Sequence, residues 1–120
     1  TSFGRYDEAL TYLQKAIDLD PSGRSKYEGF LPLVYLGMKD GENAKRWIKL
    51  FLDKNGHSRW YGWLAAVEAH LDNMEEAEKS LAVFVEMRPE IKTLRDYEKV
   101  VPSVAKDYIM SGLEKAGMPS

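Results

Sequence analysis

The sequence predicts an all-α fold: a right-handed stack of antiparallel helix pairs, closed by further helices at its C-terminal end. Two observations carry this prediction. The stretch that begins at Tyr27 aligns without a gap with the stretch that begins at Trp60, an offset of 33 residues. Within both stretches, apolar residues recur at the three- and four-residue spacing of a helix. Similarity at a period of this size is typical of stacked helical pairs, each of which covers the apolar face of its neighbour.

The first predicted element is a helix over residues 5–19, which ends at Pro21. It corresponds to the second helix of a pair whose first helix is not in the sequence, so residues 4–22 are expected to be half a repeat. One apolar side of this helix should then stay open. An open apolar patch favours contact with another surface, most simply a second copy of the chain. The predicted interface residues on this helix are Leu10, Leu13 and Ile17.

Residues 23–56 are predicted to form one complete repeat of two antiparallel helices. The first helix spans residues 24–38 and contains Pro32. Because proline has no backbone N–H, this position predicts a kink or a delayed helix start. The second helix follows the turn at Gly41 and ends near Gly56.

Residues 57–90 are predicted to form a second complete repeat. Ser58 is expected to cap its first helix, and Pro89 ends its second helix. Asn73 and Glu76 have the spacing of a capping box at the start of that second helix. The core positions predicted for the two repeats are Leu31, Val34, Ala44, Ile48, Phe51, Leu64, Val67, Ala77, Leu81 and Phe84.

Residues 91–120 break the repeat and are predicted to form a helical cap, which completes a single domain over residues 1–120. Thr93 and Asp96 have the spacing of a capped short helix. A final helix should end at Gly117. Such an atypical terminal unit covers the last open face of a stack of repeats.

Two segments resemble the second helix of a tetratricopeptide repeat. The residues that carry the resemblance in the first segment are Gly4, Tyr6, Asp7, Glu8, Ala9, Leu13, Ala16 and Pro21. The stretch from His70 to Ala77, continued by Leu81, Phe84 and Pro89, resembles it again. The resemblance implies a helical solenoid that binds a protein or peptide on the inner faces of its first helices. The peptide-binding residues that it implies are Lys26, Leu33, Leu36, Arg59, Ala66 and His70.

The end of the chain resembles a recurring ending of bacterial multidomain proteins. In those proteins, tetratricopeptide repeats follow a class III adenylate or guanylate cyclase domain or a winged-helix DNA-binding domain. The residues that carry this resemblance are Gly112, Leu113, Lys115, Ala116, Gly117 and Pro119. It implies an alternative function, in which the chain is a regulatory or dimerisation segment of a bacterial signalling enzyme or transcription regulator.

Composition narrows the classes of partner. The 17 basic and 19 acidic residues nearly balance, which argues against sequence-independent binding of nucleic acid. There are no cysteines, so disulfides and thiolate metal sites are excluded. The apolar run from Phe30 to Leu36 is too short to cross a membrane. We therefore expect a cytoplasmic protein without a cofactor.

Motifs for chemistry are lacking. His57 and His70 are the only histidines, and neither has a carboxylate at the spacing of a metal site. The acidic residues near helix starts are typical of groups that interact favourably with the helix dipole. No phosphate-binding loop or nucleophile motif is present. The chain is thus predicted to be non-catalytic and to bind no metal.

Two positions have two interpretations each. Trp47 follows Lys45 and Arg46, and it either binds a partner or a second copy, or covers the edge of its helix pair. Gly62 lies inside a helix, where glycine costs about 1 kcal/mol relative to alanine. Either close packing of another helix or the approach of a ligand backbone would explain it.

Overall fold

The protein is all-α over the residues that a computed structural model describes, which are 2–19, 30–54 and 56–120. The helices are α1 (Ser2–Leu19), α2 (Leu31–Gly37), α3 (Gly41–Lys54), α4 (Ser58–His70), α5 (Met74–Met87), α6 (Leu94–Glu98) and α7 (Lys106–Ala116), with a 3₁₀ turn at Ser103–Ala105. No strand occurs within these described ranges, so the all-α prediction is confirmed. No helix in them is both long and apolar enough to cross a bilayer.

The turn between α2 and α3 and the turn between α4 and α5 share one backbone geometry. Each contains a left-handed residue, Lys39 (φ 62°) in the first and Asp72 (φ 63°) in the second. The next amide in each turn donates to the carbonyl five residues earlier, at 2.9 Å from Asp40 and 2.8 Å from Asn73. This hydrogen bond is the one that closes a helix in a Schellman motif. The backbone therefore repeats at the same offset as the sequence.

Most helices that follow one another in the chain pack against one another, and α4 lies at the centre. It contacts α3, α5 and α7, and it is buried over most of its length. Eight of the predicted core positions are buried, while Val34 and Leu81 are half-buried and Leu81 packs against the core. Trp60 and Trp63 are buried as well. The apolar stripes of the sequence thus face this common core.

Helix starts differ in part from the prediction. The cap of α4 is His57, whose Nδ1 accepts from the Arg59 amide at 3.2 Å, and Ser58 is already helical. Asn73 begins α5 without a side-chain cap, because its Nδ2 donates to Glu68 Oε1 at 3.0 Å. The cap of α4 is therefore the residue before the predicted one. At α5, the predicted cap Asn73 bonds to Glu68 of α4, a contact between helices that the local sequence does not show.

Pro32 lies in the first turn of α2, which begins at Leu31. The first turn of a helix has no intrahelical acceptor for its amides, so the missing N–H costs nothing there. This start agrees with the delayed helix that Pro32 predicts. The earlier part of the predicted helix, residues 24–29, lies outside the described residues.

The segment after α5 forms the predicted short capped helix and a final helix. Thr93 and Asp96 form a capping box at α6, and hydrogen bonds from the Lys92 amide and then from Thr93 lower the pKa of Asp96. The last helix, α7, ends at Gly117, which is left-handed with φ 109°. It packs mainly on α4 and also contacts α2 and α5. The non-repeating part of the chain therefore supplies one side of the core.

The exposed side of α1 is not the side that was predicted to form an interface. Leu13 is only 7% exposed, Leu10 is half-buried, and the side chain of Ile17 lies outside the described residues. The large apolar side chains that α1 exposes are Tyr12, at 70%, and Leu19, at 86%. The prediction that Leu13 belongs to an open patch is wrong, because this side of α1 faces inward.

Candidate functional site

The C-terminal half of α4 carries part of the face assigned to peptide binding, and α7 covers it. Ala66 on this face has no exposed surface. A Cβ atom on Gly112 would lie 2.5 Å from the Ala66 carbonyl oxygen and 2.7 Å from its Cα, so the two helix backbones are in contact. The prediction that Ala66 contacts a peptide is wrong, because the last helix of the chain occupies that position.

His70, at the end of α4, is held by α7 as well. Its ring stacks on Tyr108 with 4.0 Å between centroids, and its Nε2 lies 2.7 Å from the Tyr108 carbonyl oxygen. Because a carbonyl oxygen only accepts, Nε2 carries the proton and donates. Burial, with a smaller contribution from Asp40, raises the pKa of the Tyr108 phenol. The hydrogen bond from this nitrogen of His70 thus joins α4 to α7.

The remaining predicted inner-face residues come from the stretch around α2. Leu36 is fully buried in the core, which overturns its assignment to peptide binding. Leu33 is half-buried and packs against the core, and α2 also contacts the 3₁₀ turn. Lys26 lies outside the described residues. The described residues of α2 that were predicted to bind a peptide therefore pack against the core of the protein itself.

A buried ion pair also belongs to this closed region. Glu68 on α4 is 1% exposed, and its Oε1 lies 3.0 Å from the Lys45 ammonium of α3. The same oxygen accepts from Asn73. A buried carboxylate needs such partners, because loss of water disfavours its charge. Lys45 therefore joins α3 to α4, and of the two basic residues that precede Trp47 in the sequence, Lys45 is in an ion pair with Glu68.

The N-terminal end of α4 remains open in a cleft of about 220 Å³. This cleft lies between the start of α4, the end of α5 and the segment around α6. We refer to it as the Arg59 cleft. Its lining residues are Ser58, Arg59, Trp63, Phe84, Arg88, Ile91, Tyr97, Val100 and Pro102.

The floor of the Arg59 cleft is aromatic. Phe84 and Tyr97 meet edge to face with 5.5 Å between centroids, and Trp63 hydrogen-bonds the Tyr97 hydroxyl. Burial raises the pKa of Tyr97. A Cβ atom on Gly62 would lie 3.2 Å from the Phe84 ring and 3.4 Å from the Tyr97 hydroxyl oxygen. Close packing of these side chains therefore explains Gly62.

The rim of the Arg59 cleft is basic. The Arg59 guanidinium lies 5.0 Å from the centroid of the Trp60 ring, and within the described ranges it has no acidic partner. Arg88 is bound to Glu90, with 2.6 Å between Nε and Oε2. Val100 on the opposite side is 54% exposed. Among the described residues, the cleft thus places the Arg59 guanidinium, without an acidic partner, beside an apolar surface.

Aromatic rings continue from the Arg59 cleft to the surface of α3. Trp47 stacks on Phe51, Phe51 stacks on Trp60, and Trp60 meets Trp63 edge to face. The centroid distances along this row are 6.1, 5.3 and 5.3 Å. Trp47 is half-buried at its outer end. This packing favours the interpretation in which Trp47 covers the edge of the helix pair.

The size of the Arg59 cleft decides what it can hold. Pockets for small molecules and cofactors are commonly about 300–1,000 Å³. At about 220 Å³, the cleft suits one apolar side chain of a larger partner. Across the described residues, no three His, Asp or Glu side chains are close enough to hold a metal ion.

Arg59 is a predicted peptide-binding residue, whereas the other residues that line its cleft were not predicted to bind a peptide. Phe84 is a predicted core position and is buried, and together with Trp63, which is also buried, it forms part of the floor of this cleft. Tyr97 and Val100 belong to the segment that follows the repeats, where no periodic pattern predicts which residues face α4. The one available signal was the aromatic character of Tyr97 within the predicted short helix that Thr93 and Asp96 cap.

Residues 1–22 match the tetratricopeptide repeat family. The match covers α1, the same segment whose Gly4-to-Pro21 pattern carries the resemblance seen in the sequence. Comparison with curated proteins and comparison with solved structures give no significant match. The resemblance of the C-terminal end to bacterial cyclase and winged-helix proteins has no counterpart in these results.

Proposed function

We propose that this chain is a non-catalytic protein-interaction module that binds an acidic peptide segment in the Arg59 cleft. The proposal rests on the Arg59 guanidinium, which has no acidic partner among the described residues and lies beside an aromatic floor. The family match of residues 1–22 supports an interaction role, because tetratricopeptide repeats are typically used to bind other proteins.

The chemistry of the cleft selects the ligand. One apolar side chain, such as phenylalanine or leucine, would lie against Trp63 and Phe84, and its burial contributes about 1.5–3 kcal/mol. Carboxylates next to it would meet Arg59, and an exposed ion pair contributes about 0–1 kcal/mol. The apolar anchor therefore supplies most of the affinity, and the acidic flanks supply orientation and selectivity.

Three synthetic peptides test this ligand. The first, acetyl-Gly-Asp-Glu-Phe-Glu-Asp-Gly-amide, contains both features; the second has alanine in place of phenylalanine; the third has lysine in place of every acidic residue. Fluorescence anisotropy should show weakening of about tenfold or more for the second peptide. The third should lose several-fold, because lysine is repelled by Arg59. Equal affinity for all three peptides would contradict the proposal.

Variants of the protein locate the site. Arg59→Glu should weaken binding of the first peptide by about tenfold, since it turns an attraction into a repulsion. Arg46→Glu makes the same change of charge at an exposed position on α3 and should leave binding unaltered. If Arg59→Glu binds like the unaltered protein, the site lies elsewhere, and the region around Trp47 is the next to examine.

The finer assignments stay predictions. A parent protein with a cyclase or winged-helix domain, a cytoplasmic location and the division into segments 4–22, 23–56, 57–90 and 91–120 rest on the sequence. The C-terminal residues that suggest this parent also build the cap: Gly112 contacts α4, and Lys115 forms a 2.8 Å ion pair with Asp72. Sequencing the gene upstream tests the alternative of a regulatory segment, which requires a catalytic or DNA-binding domain there.

A further inference from the structure

One face of α1 is exposed and lies opposite the side that packs inward. Glu8, Tyr12, Lys15 and Leu19 follow one another at spacings of four, three and four residues, which places them on one face of a helix. Tyr12 is 70% exposed and Leu19 is 86% exposed. A shallow groove of about 360 Å³ runs along this face beside Tyr12. We refer to these four residues as the Tyr12 face.

Charges on the Tyr12 face are arranged symmetrically. Glu8 lies one turn before Tyr12, and Lys15 lies one turn after it. Across the part of the chain that the structure describes, neither Glu8 nor Lys15 has an ion-pair partner. Both line the groove beside Tyr12. Aromatic residues such as Tyr12 are enriched at protein interfaces, and the two opposite charges on either side of it can be matched by a surface of complementary charge.

We propose that the Tyr12 face pairs with the same face of a second copy of the chain, in an antiparallel arrangement about a two-fold axis near Tyr12. In that arrangement, Glu8 of each copy meets Lys15 of the other, because the order of the two charges reverses between antiparallel helices. The two Tyr12 rings meet at the centre. A two-fold contact uses one patch twice, so it requires the self-complementary charges that this face carries.

The register that pairs these charges also accommodates Leu19. It places Leu19 opposite position 4 of the second copy, where the sequence has glycine. Two large apolar side chains of each copy are then covered by the contact. This interface differs from the patch of Leu10, Leu13 and Ile17 that the sequence suggests, and it involves no residue of the Arg59 cleft.

Charge reversal tests the arrangement in the full chain. Sedimentation equilibrium should show a dimer for the unaltered protein and a monomer for Glu8→Lys and for Lys15→Glu at the same concentration. The double variant Glu8→Lys/Lys15→Glu should dimerise again, because both pairs are restored with their signs exchanged. Mixing the two single variants should give a heterodimer. Tyr12→Ala should raise the dissociation constant about tenfold or more.

Charge reversals away from the Tyr12 face serve as controls. Glu86→Lys on α5 and Lys49→Glu on α3 make the same changes of charge at exposed positions and should leave the dimer intact. A chain that is monomeric at every concentration, or a double variant that stays monomeric, overturns the proposal. Dimers that survive Tyr12→Ala and both single reversals also overturn it, since another surface must then form them. Binding of the acidic peptide is not affected by any of these results.

Discussion

The two ends of α4 differ in what covers them. At its C-terminal end, Ala66 and His70 lie under α7, and Glu68 is buried in an ion pair with Lys45. At its N-terminal end, Arg59 lies open above an aromatic floor. Both ends belong to one helix of one repeat, so the repeat alone does not determine which of them is available to a partner.

The difference comes from the path of the last helix. Gly112 brings α7 into backbone contact with α4 at Ala66, and Tyr108 then stacks on His70. The segment before α7 passes the other end of α4 through Val100 and Pro102, which stand at the side of the cleft and do not fill it. Helix α7 therefore covers the C-terminal part of the inner face of α4, and the segment before α7 forms one side of the cleft at the N-terminal part.

The largest effect on stability should come from the ion pair at the closed end. Lys45→Met leaves the Glu68 carboxylate buried with Asn73 as its remaining partner. Removing one member of a buried pair costs about 3–5 kcal/mol. The lower end of that range applies, because the Lys45 side chain is 25% exposed. Urea unfolding measures the loss.

The double variant Lys45→Met/Glu68→Leu is the matched control. It removes both charges and should recover most of the stability, because no unpaired charge stays buried. A single variant as stable as the unaltered protein would show that water reaches Glu68 and that this end of α4 is less closed than described.

Overpacking of the contact between α4 and α7 should have the next largest effect. Gly112→Leu places side-chain atoms where the Ala66 backbone lies, and neither backbone atom can rotate away. Inserting atoms into a packed contact costs about 1–3 kcal/mol, and this variant should reach the upper part of that range. Gly56→Ala is the control, because a Cβ atom there meets nothing within 4 Å. Equal stability of both variants would contradict the close approach.

The fold could be predicted from the sequence because its signal is periodic. The spacing of apolar residues places Ala44, Ile48 and Ala77 in the core, and the structure agrees. The turns at Lys39 and Asp72 repeat in geometry although neither residue is glycine. The repeated backbone geometry and the packing of neighbouring helices are therefore kept even where the residues at equivalent positions differ.

The open and closed parts of the inner face could not be predicted in the same way. Repeat geometry assigned Ala66, His70 and Arg59 to one surface, but Ala66 is buried, His70 is half-buried and Arg59 is exposed. What separates them is the contact of Gly112 with Ala66, between residues far apart in the sequence and outside any repeat. Local patterns give the faces of a helix, whereas tertiary contacts of the non-repeating cap decide which face is covered.

Tyr97, on the floor of the Arg59 cleft, should make the free energy of unfolding fall at high pH. Burial raises the pKa of Tyr97 above its ordinary value of 10.0, so the folded protein holds this phenol neutral. Its contribution to stability is therefore complete below pH 10 and is lost as the pH rises above that value toward the folded-state pKa. The loss amounts to about 1.4 kcal/mol per pH unit for one proton.

Tyr97→Phe tests this sensitivity. At neutral pH the variant lacks the hydrogen bond with Trp63 and should be less stable by about 1 kcal/mol. Above pH 10 it has no phenol to ionise, so its free energy of unfolding should fall less steeply than that of the unaltered protein. Urea unfolding across this pH range measures both slopes. Parallel curves would mean that the phenol is solvated in the folded protein.

Arg59→Glu, at the rim of the Arg59 cleft, should have the smallest effect on stability, although it should weaken binding of the acidic peptide. Arg59→Glu removes a cation–π contact with Trp60 that contributes about 0.5–1 kcal/mol at an exposed site. It also places a carboxylate in the first turn of α4, where the helix dipole favours it by about 0.3–1 kcal/mol. These contributions offset each other, so the unfolding midpoint should stay nearly unchanged while the acidic peptide binds about tenfold more weakly. Arg59→Ala, which loses the contact without gaining the carboxylate, should be the less stable of the two variants. The reverse order, or a large loss of stability in Arg59→Glu, would mean that Arg59 supports the fold and that its cleft is not a free binding surface.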